Sequence, residues 1–166
     1  MPSRHRSRQR ALQVLFQVDI NKQDPFEAID DFYETLHTAE TNSRDDPQER
    51  QTRPARDAFM EQLVRGTVSQ MESIDHKVGA HSAHWRLERM PIVDRNILRL
   101  AVYELICLDT PSPVVIDQAL ELARRFSGEE SVAFINGVLD AVRREVDQES
   151  QEECEPGETS GPDSDT

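Results

Sequence analysis

The chain contains 166 residues, of which 36% are hydrophobic and 5% aromatic, and this size is most simply that of one domain with a modest core. No apolar run is long enough to cross a bilayer and the N-terminus lacks the apolar segment of a signal peptide, which argues against a membrane protein and predicts a cytoplasmic one. The two cysteines, Cys107 and Cys154, indicate neither a disulfide framework nor a metal site, so we expect no cofactor.

The net charge of −13 is distributed unevenly along the chain. Residues 149–166 carry seven acidic side chains and no basic one, whereas the first eighteen residues contain no carboxylate. That N-terminal stretch includes the arginines Arg4, Arg6, Arg8 and Arg10. A run of uncompensated arginines favours a segment that binds RNA or another polyanion, and the alternative is a solvated terminus.

The first predicted helix spans roughly residues 7–20, where apolar side chains recur at helical spacing from Ala11 to Val18. Arg4 and Arg8 would continue this apolar stripe if the helix ran back to the N-terminus. Because charged side chains are rarely buried, we expect residues 1–10 to form an arm that overhangs the core or stays unfolded until an anion orders it.

The second and third predicted helices are separated by a polar loop. Asp24, Pro25 and Glu27 together predict a capped helix start. Residues 41–54 have no apolar period, which predicts an exposed, mobile loop. A long third helix is predicted over about 55–78, where Gly66 indicates close packing of a neighbouring helix and Gly79 a helix end.

The short segment from Ser82 to Met90, together with the preceding His81, contains side chain types that bind metals or RNA in other proteins. His81 and His84 could share a helix face, but no ligand partner accompanies them in the sequence, which favours ordinary histidines over a metal site. Trp85 is the only tryptophan and could stack on RNA or pack in the core. The neighbouring Leu87 and Met90 favour the core.

The clearest pattern in the sequence is a core helix over residues 91–108, which ends before the prolines of residues 109–113. We expect Asp94 to lie in its exposed first turn, where negative charge suits the helix dipole, and to form with Arg95 a surface pair of little energetic value. Glu104 lies beside the apolar stripe, and we expect it at an edge where it pairs with another helix.

Two further helices are predicted over about 114–126 and 130–146. Gly137 in the second of them indicates a close helix contact. After Asp147 the composition turns acidic and polar, which predicts a disordered tail over residues 149–166. No strand is predicted, so the fold class is all-α with six or seven helices.

The sequence contains no recognisable catalytic constellation. It has no glycine-rich phosphate loop, no nucleophile elbow, no metal-ligand cluster and no pair of carboxylates embedded in apolar sequence. We therefore expect no catalytic residues and a protein that is not an enzyme. The residues alone indicate a helical binding protein with a basic N-terminus.

Four segments resemble the NusB family of bacterial transcription antitermination factors: RHRSRQRALQVLFQ from Arg4, WRLERMPIVDRNILRLAVYEL from Trp85, PVVIDQALELARRFS from Pro113 and FINGVLD from Phe134. The resemblance implies a compact fold of about seven helices in two small bundles, spanning residues 7–148. It also implies a function without catalysis. Members of the family pair with the ribosomal protein and elongation factor NusE, bind the boxA element of nascent RNA, and help the RNA polymerase elongation complex to read through terminators in ribosomal RNA operons.

The resemblance also implies roles for individual residues. The residues at RNA-binding positions of the family are Arg4, Arg6, Arg8, Arg10, Glu130 and Phe134. Phe16 and Asp94 match positions on the NusE-facing surface. Phe16 replaces a tyrosine found in some members, which removes a hydroxyl contact, and Asp94 is one methylene shorter than the glutamate that can occupy its position.

The sequence also allows two other functional hypotheses. The first is a helical adaptor that binds proteins, or a homodimer, without specific RNA binding. The second is a connection to ribosomal RNA cytosine methyltransferases, some of which carry a similar helical domain. The sequence shows no cofactor-binding βαβ unit, so we expect no methyl transfer.

Overall fold

The computed structural model describes residues 2–43, 53–82 and 85–154. Within these ranges it contains α-helices and one 3-10 turn but no strand, which confirms the all-α prediction. The seven helices of this part of the chain are α1 (Arg4–Asn21), α2 (Pro25–Ser43), α3 (Ala58–Ser69), α4 (Met71–His81), α5 (Ile92–Cys107), α6 (Ser112–Phe126) and α7 (Glu129–Cys154). The 3-10 turn spans Leu87–Arg89 and precedes α5.

Helix α5 joins two small bundles. Helices α1, α2 and α3 pack against one another, and α4, α6 and α7 surround the other side of α5. The α5 side chains Ile97, Leu98 and Val102 are completely buried. Burying a side chain of this size contributes about 1.5–3 kcal/mol to stability. Because these buried residues belong to the apolar stripe identified in the sequence, that stripe is the centre of the hydrophobic core. No helix in the described ranges is long and apolar enough to cross a membrane.

The predicted start of the second helix is confirmed. The Asp24 Oδ1 atom accepts hydrogen bonds from the backbone N–H groups of Phe26, at 2.8 Å, and Glu27, at 3.4 Å. These two N–H groups have no partner within the helix, so the carboxylate replaces the missing carbonyls.

The predicted long third helix is wrong in one respect, because it is divided into α3 and α4 at Gln70. The backbone of Gln70 leaves the helical region, with φ −103° and ψ 11°, and its N–H donates to the Gly66 carbonyl at 3.1 Å. A break of one residue leaves the apolar period almost unchanged, so periodicity does not reveal it. Helix α4 also continues through Gly79, which we expected to end the helix.

Two glycines that were predicted to allow close helix contacts differ in the structure. At Gly66 a Cβ atom would overlap the ring of Tyr103 from α5, so the prediction is confirmed there. At Gly137 nothing lies within 4 Å of the position that a Cβ would take, so the prediction is wrong.

Helix α7 extends well beyond its predicted end at Val146 and is described as far as Cys154. Its exposed face carries ion pairs at helical spacing, with both Arg143 and Arg144 at 2.8 Å from Asp140. Such pairs stabilise a polar helix without an apolar stripe. The predicted disordered tail is therefore helical over 149–154, and its remainder lies outside the described residues. Of the predicted mobile loop, residues 41–43 belong to α2 and 44–52 lie outside the described ranges.

Candidate nucleic-acid interface

The arginines at the N-terminus lie in the first turns of α1. Ser3 caps this helix, because its hydroxyl oxygen accepts a hydrogen bond from the backbone N–H of Arg6 at 3.2 Å. Arg4 and Arg6 are exposed, and the guanidinium of Arg4 lies 4.7 Å from the centre of the Phe59 ring on α3. The expectation of an overhanging or unfolded arm is therefore wrong, since residues 4–10 are helical and contact the body of the protein.

Arg8 is the residue for which the expectation fails most clearly, because it is only 4% exposed. Its Nε and Nη2 atoms each lie 2.8 Å from a carboxylate oxygen of Glu104 on α5. A guanidinium and a carboxylate that satisfy each other in two parallel hydrogen bonds can be buried where a single charge cannot. Glu104 pairs with another helix as expected, but it does so in the core and not at an edge. Arg8 stays a predicted RNA contact, although the structure places it in the interior.

Arg10 is half-buried beside the start of α3. Its Nη1 atom lies 3.4 Å from Asp57, whose carboxylate also accepts hydrogen bonds from the Ser7 hydroxyl at 2.9 Å and the Met60 backbone N–H at 3.0 Å. Asp57 is therefore the cap of α3 and a partner of two α1 side chains. Asp57 was not among the predicted site residues, although an aspartate directly before an apolar helix is a recognisable cap signal.

Asp94 lies in the first turn of α5 as predicted, but it is only 3% exposed. The hydroxyls of Ser127 and Ser131 each donate to one of its carboxylate oxygens at 2.6 Å. The expected exposed position is therefore wrong, because the connection from α6 to α7 covers the first turn of α5. Asp94 holds the start of α7, and its predicted contact with NusE stays a prediction.

The start of α7 borders a cleft of about 320 Å³. Its lining residues are Trp85, Met90, Pro91, Asp94, Glu130, Ser131 and Phe134. Glu130 is exposed, Phe134 is half-buried and Trp85 is 54% exposed. The predicted core position of Trp85 is therefore wrong. The structure also brings together Asp94, Glu130 and Phe134, which the family resemblance assigned to two different ligands.

The other predicted site residues lie away from this cleft. Arg4 borders a separate cleft of about 330 Å³, together with Phe59, Leu108 and Thr110. Phe16 lies on α1 and is 36% exposed, and Ile20, one turn further along, is 48% exposed. Phe16 thus has the accessibility that a protein contact requires, but the structure does not bring it into the cleft that Asp94 lines.

A half-buried charge network, which no sequence pattern predicted, links α1, α4 and α5. Arg95 donates two hydrogen bonds to Asp19, at 2.6 and 2.7 Å, instead of forming the surface pair with Asp94 that we expected. Arg99 lies 3.1 Å from Asp19 and 2.8 Å from Asp75. No local pattern reveals these partners, because they are 24 to 80 residues apart in the chain.

This network changes the acidity of Asp19. Burial is the largest single influence on the Asp19 carboxyl and acts to raise its pKa, since it penalises the charged form. The hydrogen bonds from Arg95 and Asn96, together with the charges of the two arginines, outweigh burial and lower the pKa from 3.8 to about 2. Asp19 is therefore ionised at neutral pH and in mild acid.

The histidine that was considered as a metal ligand has a structural partner. His81 on α4 lies 2.6 Å from the Glu145 carboxylate on α7, and the hydrogen bond with His81 lowers the pKa of Glu145. Lys77 also contacts Glu145, at 3.3 Å. His84 lies outside the described residues. Among the residues whose structure is described, no group of three or more histidine, cysteine or acidic side chains is arranged to hold a metal ion.

The fold defines a class of small all-helical proteins in which one central helix joins two bundles. The NusB family profile matches residues 5–144, and the chain belongs to the NusB family. The transcription antitermination protein NusB of Solibacter usitatus is 56% identical over 146 residues, which cover 88% of this chain and 92% of that protein. The protein of the same name from Koribacter versatilis is 46% identical over 148 residues, covering 89% and 92%.

Solved structures show the same fold. The structure of T. maritima NusB aligns with a TM-score of 0.70 and 29% identity, covering 91% of this chain and 98% of that chain. A chain in the crystal structure of the antitermination factors NusB and NusE in complex with dsRNA aligns with a TM-score of 0.66 and 26% identity, covering 87% and 99%. These similarities confirm the NusB-like fold implied by the sequence.

Proposed function

We propose that this protein is a transcription antitermination factor that binds boxA-type single-stranded RNA together with NusE and thereby keeps the RNA polymerase elongation complex transcribing ribosomal RNA operons. The single observation that carries the proposal is the 56% identity, over 88% of the chain, to a transcription antitermination protein. The similarity to a chain solved with NusE and dsRNA supports NusE and RNA as the two classes of ligand. The proposed role is binding in the cytoplasm, without catalysis.

The exposed arginines of α1 support the RNA part of the proposal. Arg4 and Arg6 are accessible at the helix start, where the helix dipole adds partial positive charge. Guanidinium groups bind phosphates and stack on bases, and single-stranded RNA offers both. Arg10 contributes less, because it is half-buried beside Asp57.

The charge of the whole chain supports the need for a protein partner. A net charge of −13 disfavours tight binding of RNA by this chain alone. A basic ribosomal protein complements an acidic surface and adds RNA contacts of its own, so that two weak sites act as one stronger site. The exposed apolar pair Phe16 and Ile20 on α1 is the surface on which we place NusE.

The test is a fluorescence-anisotropy titration of labelled boxA-type RNA and of a scrambled RNA, with the free protein and with the NusE pair, at several salt concentrations. We expect the pair to bind boxA RNA more tightly than the free protein and more tightly than the scrambled RNA. Log affinity should fall linearly with log salt, because each neutralised phosphate releases counterions.

A matched pair of double variants locates the RNA contact. In the variant Arg4→Gln with Arg6→Gln we expect the salt slope to fall by about 0.7 for each phosphate that the protein no longer neutralises. The control is Arg124→Gln with Arg125→Gln, which removes the same charge from exposed positions of α6 and should leave the slope unchanged. Equal binding of the boxA and scrambled RNAs, with no gain from NusE, would instead support the protein-binding adaptor or homodimer.

A further inference from the structure

Trp85 is an exposed aromatic side chain for which the helical core offers no explanation. It is 54% exposed, whereas the apolar residues Met90 and Leu87 near it in sequence are buried and half-buried. An indole left in water costs free energy relative to a buried one, and large exposed apolar side chains commonly mark binding surfaces. Trp85 therefore requires an explanation beyond stability.

The surroundings of Trp85 combine an aromatic cleft with basic side chains. On one side Trp85 lines the cleft that it shares with Phe134. On the other side it lines an open depression of about 990 Å³, whose other lining residues include Arg86 and Arg89. Trp85 thus lines both an aromatic cleft and a basic depression.

Arg86 and Arg89 are available to a ligand. Both are exposed, and neither forms an ion pair with another described residue, in contrast to Arg8, Arg95 and Arg99. Alternation of an aromatic face with free basic groups is the pattern by which proteins bind single-stranded nucleic acid, since bases stack on the rings and phosphates contact the cations.

Two carboxylates determine how a strand can lie here. Glu88 lines the basic depression and Glu130 lines the aromatic cleft, and both are exposed. A carboxylate repels phosphate but accepts hydrogen bonds from the amino groups of bases. The aromatic cleft has carboxylates and no Lys or Arg among the described residues that line it and therefore suits a base, whereas in the depression Arg86 and Arg89 outnumber Glu88, so the phosphates belong there.

We propose that Trp85 is a stacking platform for one base of a single-stranded RNA, inserted beside Phe134, and that Arg86 and Arg89 bind the phosphates next to that base. The inference rests on the proposed function and extends it, because it adds three residues to the RNA-binding surface and assigns the cleft at the start of α7 to a base. It commits to RNA as the occupant, and a protein segment in the same cleft is a contrary outcome of the test.

The first experiment uses the intrinsic fluorescence of Trp85, which is the only tryptophan of the chain. We expect short single-stranded RNA to quench this emission in parallel with the anisotropy change of labelled RNA, because a stacked base contacts the excited indole. Heparin, a polyanion without bases, should bind the arginines with little quenching. Equal quenching by heparin and RNA would indicate charge binding alone and would overturn the inference.

The second experiment compares variants in the anisotropy titration. Trp85→Ala should weaken RNA binding by between about fivefold and about a hundredfold, the range found for loss of one stacked base, while Trp85→Phe should keep most of the affinity. Phe26→Ala is the matched control, since Phe26 is an exposed aromatic residue at 57% on the distant α2. Helical circular dichroism of each variant verifies that it is folded.

The outcomes separate this inference from the proposed function. If Trp85→Ala and Phe26→Ala bind RNA equally well and the RNA leaves Trp85 emission unchanged, the platform is wrong although antitermination RNA binding stands. If a NusE protein that contains no tryptophan changes the Trp85 emission and RNA does not, the cleft binds protein and the inference is wrong. If neither the free protein nor the NusE pair binds single-stranded RNA, the proposed function and the inference fall together.

Discussion

Arg8 and Glu104 form an ion pair with two hydrogen bonds of 2.8 Å in the interior, where their side chains are only 5% and 2% exposed. This pair joins α1 to the central helix α5 beneath the exposed Arg4 and Arg6. The pair buries the Arg8 charge in the core, whereas Arg4 and Arg6 on the same helix stay exposed.

Removal of one partner of this pair should be costly. We expect Arg8→Ala to lower the free energy of unfolding by about 3–5 kcal/mol, because it leaves the Glu104 carboxylate buried without a cationic partner and, among the described residues, with only the Thr110 hydroxyl, at 3.5 Å, as a donor. The double variant Arg8→Met with Glu104→Leu should be close to the wild type in stability. Urea denaturation measures both, and a similar loss in the single and double variants would contradict the prediction.

The same double variant tests the predicted RNA contact of Arg8. Because the side chain is buried, we expect Arg8→Met with Glu104→Leu to bind boxA RNA as the wild type does. A loss of affinity in a variant with wild-type stability would show that Arg8 leaves the core to contact RNA. Arg4→Gln, at an exposed position of the same helix, serves as the positive control.

Asp19 should make stability depend on acid pH. Its folded pKa of about 2 lies below the ordinary 3.8, so the unfolded state binds the proton more readily and the stabilisation is present above pH 4. A shift of this size corresponds to about 2 kcal/mol, which should be lost as the pH falls from about 4 towards 2. The measurement is the difference in unfolding free energy between wild type and Asp19→Asn from pH 2 to pH 6.

We expect the difference in unfolding free energy between the wild type and Asp19→Asn to narrow by about 2 kcal/mol on acidification. The asparagine of the variant cannot titrate, and the remaining carboxyls titrate in both proteins. A difference that stays constant over this range would mean that Arg95 and Arg99 do not lower the pKa of Asp19.

Gly66 and Gly137 provide a matched test of close packing. Both lie in helices, where alanine is favoured over glycine by about 1 kcal/mol. Gly137→Ala has free space and should stabilise the protein by up to about that amount. Gly66→Ala meets the ring of the buried Tyr103 and should instead destabilise it by about 1–3 kcal/mol. Thermal or urea unfolding of the two variants measures both changes in stability. Equal changes in the free energy of unfolding at Gly66 and Gly137 would refute the packing argument.

The two residues predicted to contact NusE should behave differently. Phe16→Ala should weaken NusE binding with little loss of stability, since Phe16 is 36% exposed, and Phe26→Ala is again the matched control. Asp94→Ala should lower the unfolding free energy by about 1–3 kcal/mol, because the Ser127 and Ser131 hydroxyls lose their acceptor. Calorimetric titration with NusE separates the two effects. If a stable Asp94→Asn variant bound NusE more weakly, that result would support the predicted direct contact between Asp94 and NusE.

Periodicity and capping signals predicted where most helices lie and the core of α5, because both depend on residues close together in the sequence, but they missed the break at Gln70 and the extension of α7. The errors in the burial and pairing of charged residues have a common physical origin in partners that are distant along the chain. Arg8 continues the apolar stripe of α1 and was expected to stay out of the core, because no local pattern reveals its partner Glu104, which lies 96 positions away. Trp85 was predicted to lie in the core because the apolar residues Leu87 and Met90 are near it in the sequence, yet its side chain is 54% exposed.

The site was predictable only in part for the same reason. The family resemblance identified Glu130, Phe134 and Asp94 separately, but only the packing of α7 against α5 shows that they border one cleft with Trp85. Likewise, the surroundings of Arg4, Arg8 and Arg10 are decided by contacts with Phe59, Glu104 and Asp57, none of which has a recognisable spacing from them in the sequence.

The anchoring of α1 also has a kinetic consequence. Ser7 and Arg8 fasten the first turns of the helix to Asp57 and Glu104, so Arg4 and Arg6 have their backbone geometry before a ligand arrives. Association then requires no coupled folding of this helix, so ordering of α1 should not limit the association rate constant. The heat capacity change of binding should likewise be small for this element, because no disordered chain collapses onto the RNA.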